Sequence, residues 1–110
     1  MKDKIIVVPK DKTAKDALIY NTATSEQLIE VTLNEMEYKE LWDTGFFDLI
    51  NNIAGINIDD FEDEGIEDVG RLKKVLTSGI FATNAVGKVN QIKSLFEEAV
   101  KRKTGIYFYF

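Results

Sequence analysis

Hydrophobic and polar positions in the N-terminal part of the chain predict strands. Ile5–Val8 is a run of four β-branched residues, which predicts a buried strand. Residues 10–16 are polar and predicted to be exposed. Further strands are predicted over Ala17–Tyr20 and Gln27–Leu33, with a turn over Asn21–Ser25 between them. Apolar and polar residues alternate in the last of these strands, as expected where one face is exposed.

The spacing of apolar residues then becomes helical. Asn34 followed three residues later by Glu37 predicts a capped helix start. A second helix is predicted over Phe46–Ala54, where apolar residues recur at intervals of three and four. A third helix is predicted to begin between Asp59 and Asp63, in a segment whose first turns are rich in acids, as the helix dipole favours.

The C-terminal third of the chain predicts one long helix and one more strand. The third helix is expected to end at Gly79, and the longest helix to run from Thr83 or Asn84 to about Lys103. Ile106–Phe110 is apolar and aromatic, with high strand propensity, and is expected to pair next to the first strand.

Together these elements predict one domain over residues 1–110, of the α+β class. The predicted sheet is small and mostly antiparallel, with three N-terminal strands and one C-terminal strand. Three to four helices are expected to pack on one face of it.

Composition supports a packed domain and excludes several kinds of chemistry. Apolar residues make up 45% of the chain and aromatic residues 11%, which is enough for a core. The chain has no cysteine and no histidine. Disulfides, thiol catalysis, thiolate zinc sites, histidine-activated nucleophiles and imidazole metal ligands are therefore excluded. No run is long enough for a transmembrane helix or a secretory signal, so a cytoplasmic protein is expected.

Charge is distributed unevenly along the chain, whose net charge is −5. Residues 26–68 contain fourteen acids and one lysine, a net charge of −13. Residues 1–25 carry +2 and residues 69–110 carry +6. Two interpretations follow: the basic ends pack beside the acidic middle and neutralise it, or an acidic face attracts a basic partner at long range. This balance argues against nucleic acid or an anionic membrane as the main ligand.

No catalytic or cofactor-binding motif is found. A calcium loop that starts at Asp60 places Gly65 correctly at its sixth position, but Arg71 then occupies the twelfth, where a bidentate glutamate is needed. Phosphate-binding glycine loops are absent. We therefore predict no catalytic residue, no metal ligand and no cofactor, and metal-dependent carboxylate chemistry is the remaining route to an enzyme.

The residues selected for partner binding are two aromatics and the acids near them. Tyr38 and Phe47 fit the predicted helical stripes less well than their aromatic neighbours, so both are predicted to be exposed contact residues. The acids selected with them are Glu37, Glu40, Asp43, Asp59, Asp60, Glu62, Asp63, Glu64, Glu67 and Asp68.

Residues 41–66, LWDTGFFDLINNIAGINIDDFEDEGI, and the acidic character of the chain resemble immunity proteins of bacterial polymorphic toxin systems. The resemblance covers mainly residues 38–68 and includes no motif from which site residues could be carried over. It implies a non-enzymatic protein that binds and blocks a basic toxin or nuclease. The alternative is a regulatory or adaptor domain that binds a small ligand or another protein.

Overall fold

Four strands form one antiparallel sheet in the order β2-β1-β4-β3. The structure is a computed structural model that describes residues 4–59, 62–83 and 88–110. The strands are β1 (Lys4–Pro9), β2 (Leu28–Leu33), β3 (Asp63–Ile66) and β4 (Ile106–Tyr109). The α-helices in these residues are α1 (Lys12–Ile19), α2 (Glu35–Asp43), α3 (Phe46–Ala54), α4 (Val69–Thr77), α5 (Ile80–Thr83) and α6 (Val89–Arg102). The predicted α+β class with an antiparallel sheet is confirmed.

One face of the sheet carries the main core. Ile6 pairs with Val31 of β2 and with Phe108 of β4, so these three side chains lie in one row. Phe108 is fully buried and its ring contacts Phe47 of α3 and Phe96 of α6. Helices α2 to α6 pack over this face and over one another.

The opposite face of the sheet is covered in part by α1, which lies against β1. Val7, on this face of β1, and Ala14 of α1 are both buried, yet neither belongs to the main core cluster. Helix α1 is therefore separated from the other helices by the sheet. The rest of this face is open, and the candidate site lies there.

The predicted strand over Ala17–Tyr20 is wrong, because these residues belong to α1 or follow it directly. Asp11 caps the helix, and its carboxylate accepts a 2.7 Å hydrogen bond from the Ala14 amide. Segment 10–16, predicted to be polar and exposed, supplies this cap and the buried Ala14. The apolar residues of Ala17–Tyr20 predicted a strand, but Tyr20 is 77% exposed.

The predicted start of the third helix between Asp59 and Asp63 is also wrong. Asp63–Ile66 is strand β3, and the helix begins at Val69 after Asp68, whose side chain accepts from the Gly70 amide. Ile66 is spaced three residues from Val69 and therefore looked helical, but it pairs with Ile106. The third strand of the sheet is thus β3 rather than an N-terminal strand.

Other local predictions are confirmed. The Asn34 side chain accepts from the Glu37 amide at 2.8 Å, and the Glu37 carboxylate accepts from the Asn34 amide at 2.9 Å, which forms the predicted capping box. Helix α3 has the predicted bounds, and β4 pairs with β1. The long helix begins at Val89 instead of Thr83, which ends α5, whereas the alternative start at Asn84 lies outside the described residues.

We predict that Phe108→Ala lowers the free energy of unfolding by about 3–5 kcal/mol, because the truncation leaves a cavity between the sheet and two helices. The measurement is chemical denaturation followed by circular dichroism. The control is Tyr20→Ala, at a 77% exposed position, with an expected change within about 0.5 kcal/mol. Equal effects of the two substitutions would contradict this description of the core.

Candidate functional site

The predicted aromatic contact residues are not both exposed. Phe47 is fully buried, so the prediction that it is an exposed contact residue is wrong. It lies beside Phe46 on the broad apolar side of α3, and both rings point into the core. Tyr38 is half-buried, and its ring centroid lies 5.0 Å from that of Phe110. The Lys4 ammonium lies 5.2 Å from the centroid of the Tyr38 ring.

The predicted acids on α2 lie towards the β2 edge of the sheet. Lys88 lies 3.7 Å from the Glu37 carboxylate and also donates to the carbonyl of Thr32, in β2. Asp43 pairs with Lys39 one turn earlier at 2.5 Å. Glu40 is exposed and forms no ion pair with a described residue.

The predicted acids that follow α3 lie at the β3 edge. Asp63 and Glu64 belong to β3, and Glu64 accepts from the Asn57 amide at 3.2 Å. Asp68 caps α4, and Asp59 and Glu62 are exposed. Asp60 lies outside the described residues. The two groups of acids therefore occupy opposite edges of the sheet, whose outer strands are about 14 Å apart at three strand spacings.

Few ion pairs join the basic ends of the chain to the acidic segment among the described residues. In the described ranges, two ion pairs join them, Lys15 with Glu67 and Lys88 with Glu37. Nine acids between residues 26 and 68 form no ion pair with a described residue. These acids are Glu26, Glu30, Glu35, Glu40, Asp48, Glu62, Asp63, Glu64 and Asp68.

The open face of the sheet forms a groove of about 910 Å³, which we call the sheet groove. Its floor contains Ile5 of β1 and two tyrosines of β4, Tyr107 and Tyr109. The end of α1, with Leu18 and Ile19, forms one wall. Four charged residues also line it, Glu30, Asp63, Glu64 and Lys4. The pairing register places Glu30 and Asp63 on the tyrosine face, whereas Glu64 pairs with Phe108 and Lys4 with Leu33 on the core face. The groove thus combines an apolar floor with net negative charge.

Gly65 allows the Tyr107 ring to lie across β3. The two residues are paired, and a Cβ atom at position 65 would lie 2.7 Å and 2.9 Å from two carbons of the ring. The Tyr107 hydroxyl donates to the Glu67 carboxylate, and the Lys15 ammonium lies 3.3 Å from the same carboxylate. This set of contacts connects α1 to β3 and β4.

The pKa values of these groups follow from their contacts. The hydrogen bond from Tyr107 lowers the pKa of Glu67 below its ordinary value of 4.5, against a smaller opposing effect of burial, and Lys15 adds to the lowering. Burial raises the pKa of Tyr107, and the Glu67 carboxylate raises it further. Burial also raises the pKa of Tyr109, with a contribution from the charge of Asp63. Both tyrosines are therefore neutral at pH 7. The Tyr107 hydroxyl is occupied by its hydrogen bond to Glu67, and the groove presents the rings of both tyrosines.

No group of three or more acids that could hold a metal ion occurs among the described residues. None of the helices in those ranges has the length and apolar character needed to cross a membrane. No family model, no curated protein and no solved structure matches this chain. The resemblance to immunity proteins therefore stays a prediction.

Sequence reasoning assigned Ile106–Phe110 to the sheet but did not assign its tyrosines to a site. The signal was present, because isoleucine and phenylalanine alternate with tyrosine at 106–110. In a strand, this alternation places the two tyrosines on the face opposite Phe108. Glu30 and Ile5 also lie on the tyrosine face, but only the pairing register shows it.

We predict that Gly65→Ala lowers the free energy of unfolding by about 1–3 kcal/mol, because the Tyr107 ring must move and its hydrogen bond to Glu67 is lost. The same substitution in a Tyr107→Leu background should cost less, because no ring then crosses position 65. Chemical denaturation of the four proteins in this cycle measures the coupling. Strictly additive effects would contradict the contact.

A second prediction concerns pH. Because the pKa of Glu67 is lowered on folding, its contribution to stability is present above pH 4.5 and is lost as pH falls through its folded-state pKa. Tyr107→Phe should raise the pKa of Glu67, and Glu67→Gln should lose less stability than the wild type during acidification. NMR titration of the Glu67 carboxyl carbon and denaturation at several pH values measure these effects. An unchanged Glu67 pKa in Tyr107→Phe would be the contrary result.

Proposed function

We propose that the protein is a non-enzymatic binding module that occludes a basic protein, in the manner of an inhibitor or immunity protein. The observation that supports it is the set of nine acids between residues 26 and 68 without an ion pair to a described residue. Keeping so many carboxylates unpaired maintains a negative potential outside the protein, and this potential favours approach of a basic partner.

Attraction and contact have different requirements. Acids at the two edges of the sheet are about 14 Å apart, more than the Debye length of about 8 Å at physiological salt, so the two groups act together mainly at low salt. Affinity also needs desolvated contact area, which charge alone does not supply. In the proposed complex, Asp59–Asp68 and the acids of α2 pair with lysine and arginine around the partner's active cleft.

Contact area must come from residues other than Phe47. Tyr38 offers the part of its ring that Phe110 and Trp42 leave uncovered. Ile19 and Met36 are large apolar side chains that are 59% and 80% exposed. The floor of the sheet groove and Ile19 beside it lie on one side of the sheet, and Tyr38 and Met36 lie on α2 on the other side. These two surfaces replace the contact that was predicted for Phe47.

The alternative is a regulatory or adaptor domain that binds a small ligand or another protein, and the sheet groove is the observation that favours it. A ligand site of this kind is usually enclosed and mostly apolar. The groove is open on the sheet face and carries Glu30 and Asp63 on that face, so we rank the binding of a basic protein first.

The test begins with affinity capture of the tagged protein from its host lysate at low salt, followed by elution with a salt step and identification of the released protein. We expect a basic protein, and we expect its activity to fall when the complex is formed again. The purified partner is then used to measure association rates as a function of ionic strength. We expect the rate to fall about tenfold or more between low and high salt.

Matched variants separate local effects from the net charge. Glu62→Gln with Asp63→Asn tests the β3 edge, and Glu35→Gln with Glu40→Gln tests α2. The control with the same change in charge is Asp16→Asn with Glu97→Gln, two exposed acids outside residues 26–68. At least one of the test pairs should slow association more than the control does. Association that is independent of salt and equal in all three variants would overturn the proposal.

A further inference from the structure

Within the sheet groove, one row of side chains on the open sheet face is available for contact. Ile5 pairs with Tyr109, and Tyr109 pairs with Asp63, so these three side chains lie side by side across β1, β4 and β3. Ile5 and Tyr109 are half-buried, and Asp63 is exposed without an ion pair to a described residue. The row therefore presents an aliphatic side chain, a ring and a carboxylate.

Tyr109 and Asp63 have the chemistry of a cation site. Side chains of directly paired residues have Cβ atoms about 5 Å apart, so a cation over the tyrosine ring can also reach the carboxylate. Asp63 is paired directly with Tyr109, and its charge adds to the effect of burial in raising the pKa of Tyr109. A guanidinium group fits this pair well, because it stacks on rings and donates two parallel hydrogen bonds to a carboxylate.

A second carboxylate lies on the other side of the same face. Glu30 pairs with Val7, which pairs with Tyr107, so Glu30 belongs to the next row. Three strand spacings and one row separate it from Asp63, a distance on the order of 15 Å. Residues four positions apart in an extended chain are about 13–14 Å apart and point to the same side. The two carboxylates therefore match two basic residues with three residues between them.

The charges that line the groove are consistent with a cationic segment. The carboxylate residues on the groove face of the sheet are Glu30 and Asp63. The Lys4 ammonium donates to the Phe110 carbonyl oxygen at 2.7 Å and lies over the Tyr38 ring of α2, on the other side of the sheet. Its charge is therefore directed away from the groove face. Between Asp63 and Glu30 the floor is apolar, with Ile5 and the two tyrosine rings, so it can cover the apolar residue of a bound segment.

We propose that the sheet groove binds an extended segment of the basic partner, with one lysine or arginine against Tyr109 and Asp63 and a second, four residues away, against Glu30. The proposal rests on the proposed function and narrows it, because it assigns a particular segment of the partner to a particular surface.

The probe is the peptide acetyl-Arg-Val-Thr-Val-Arg-amide, titrated into the full chain and followed by NMR. We expect millimolar binding, with shifts concentrated on Ile5, Tyr109 and Asp63. The peptide with glutamine in place of both arginines should bind at least fivefold more weakly. Asp63→Asn and Glu30→Gln should each weaken binding of the arginine peptide about threefold or more. The control Glu97→Gln makes the same change in charge on α6, across the sheet, and should leave binding unchanged.

Two substitutions at Tyr109 separate the contribution of its aromatic ring to peptide binding from that of apolar contact alone. Tyr109→Phe keeps a ring and should bind the peptide nearly as well as the wild type, whereas Tyr109→Leu should bind several-fold more weakly. The pair also controls for folding, because Tyr109→Phe retains the ring packing. Equal binding of the arginine and glutamine peptides, or equal weakening by Asp63→Asn and Glu97→Gln, would overturn the groove proposal.

The intact partner distinguishes failure of this proposal from failure of the proposed function. Salt-dependent partner binding that survives both Asp63→Asn and Tyr109→Leu would overturn the groove proposal and leave the proposed function standing. Peptide binding in the groove without any basic partner released by salt would support the groove proposal and count against the proposed function.

Discussion

The structure depends on the position of β4 in the middle of the sheet. Its five-residue segment, 106–110, alternates between two faces. Ile106, Phe108 and Phe110 are buried and hold the helices, whereas Tyr107 and Tyr109 form the floor of the sheet groove. The same strand therefore supplies the centre of the core and the centre of the candidate site. A shift of its pairing register by one residue would exchange its two faces, so these faces cannot be altered independently.

The sequence predicted correctly those elements that depend on local interactions. The reciprocal capping of Asn34 and Glu37 and the stripe of α3 require no distant partner, and both were predicted. The segment Ala17–Tyr20 was wrongly predicted to be a strand, because its apolar residues do not pair with another strand. Asp11 starts a helix there, and docking against β1 completes it. β3 was missed for a related reason: its sequence, DEGI, has low strand propensity and is strand only by pairing with β4.

The charge of the candidate site could be predicted from the sequence, but its shape could not. The concentration of acids could be counted, but whether the basic ends neutralise them required coordinates, and so did their division between two edges of the sheet. Exposure of aromatic residues was the weakest inference, because Phe47 and Tyr109 are equally aromatic and differ only in what packs over them. The pairing of Gly65 with Tyr107 joins positions 42 residues apart, which spacing along the chain does not reveal.

The pairing of Ile5 with Tyr109 also has a consequence for synthesis on the ribosome. β1 and β2 can pair early, but β4 joins positions about a hundred residues apart, and such closure is slow and costly in chain entropy. Until residues 106–109 have been made, β3 has no neighbour and the apolar side of β1 lacks Phe108. The nascent chain therefore carries an uncovered strand edge until these residues have been made, and this period is one of increased exposure to aggregation.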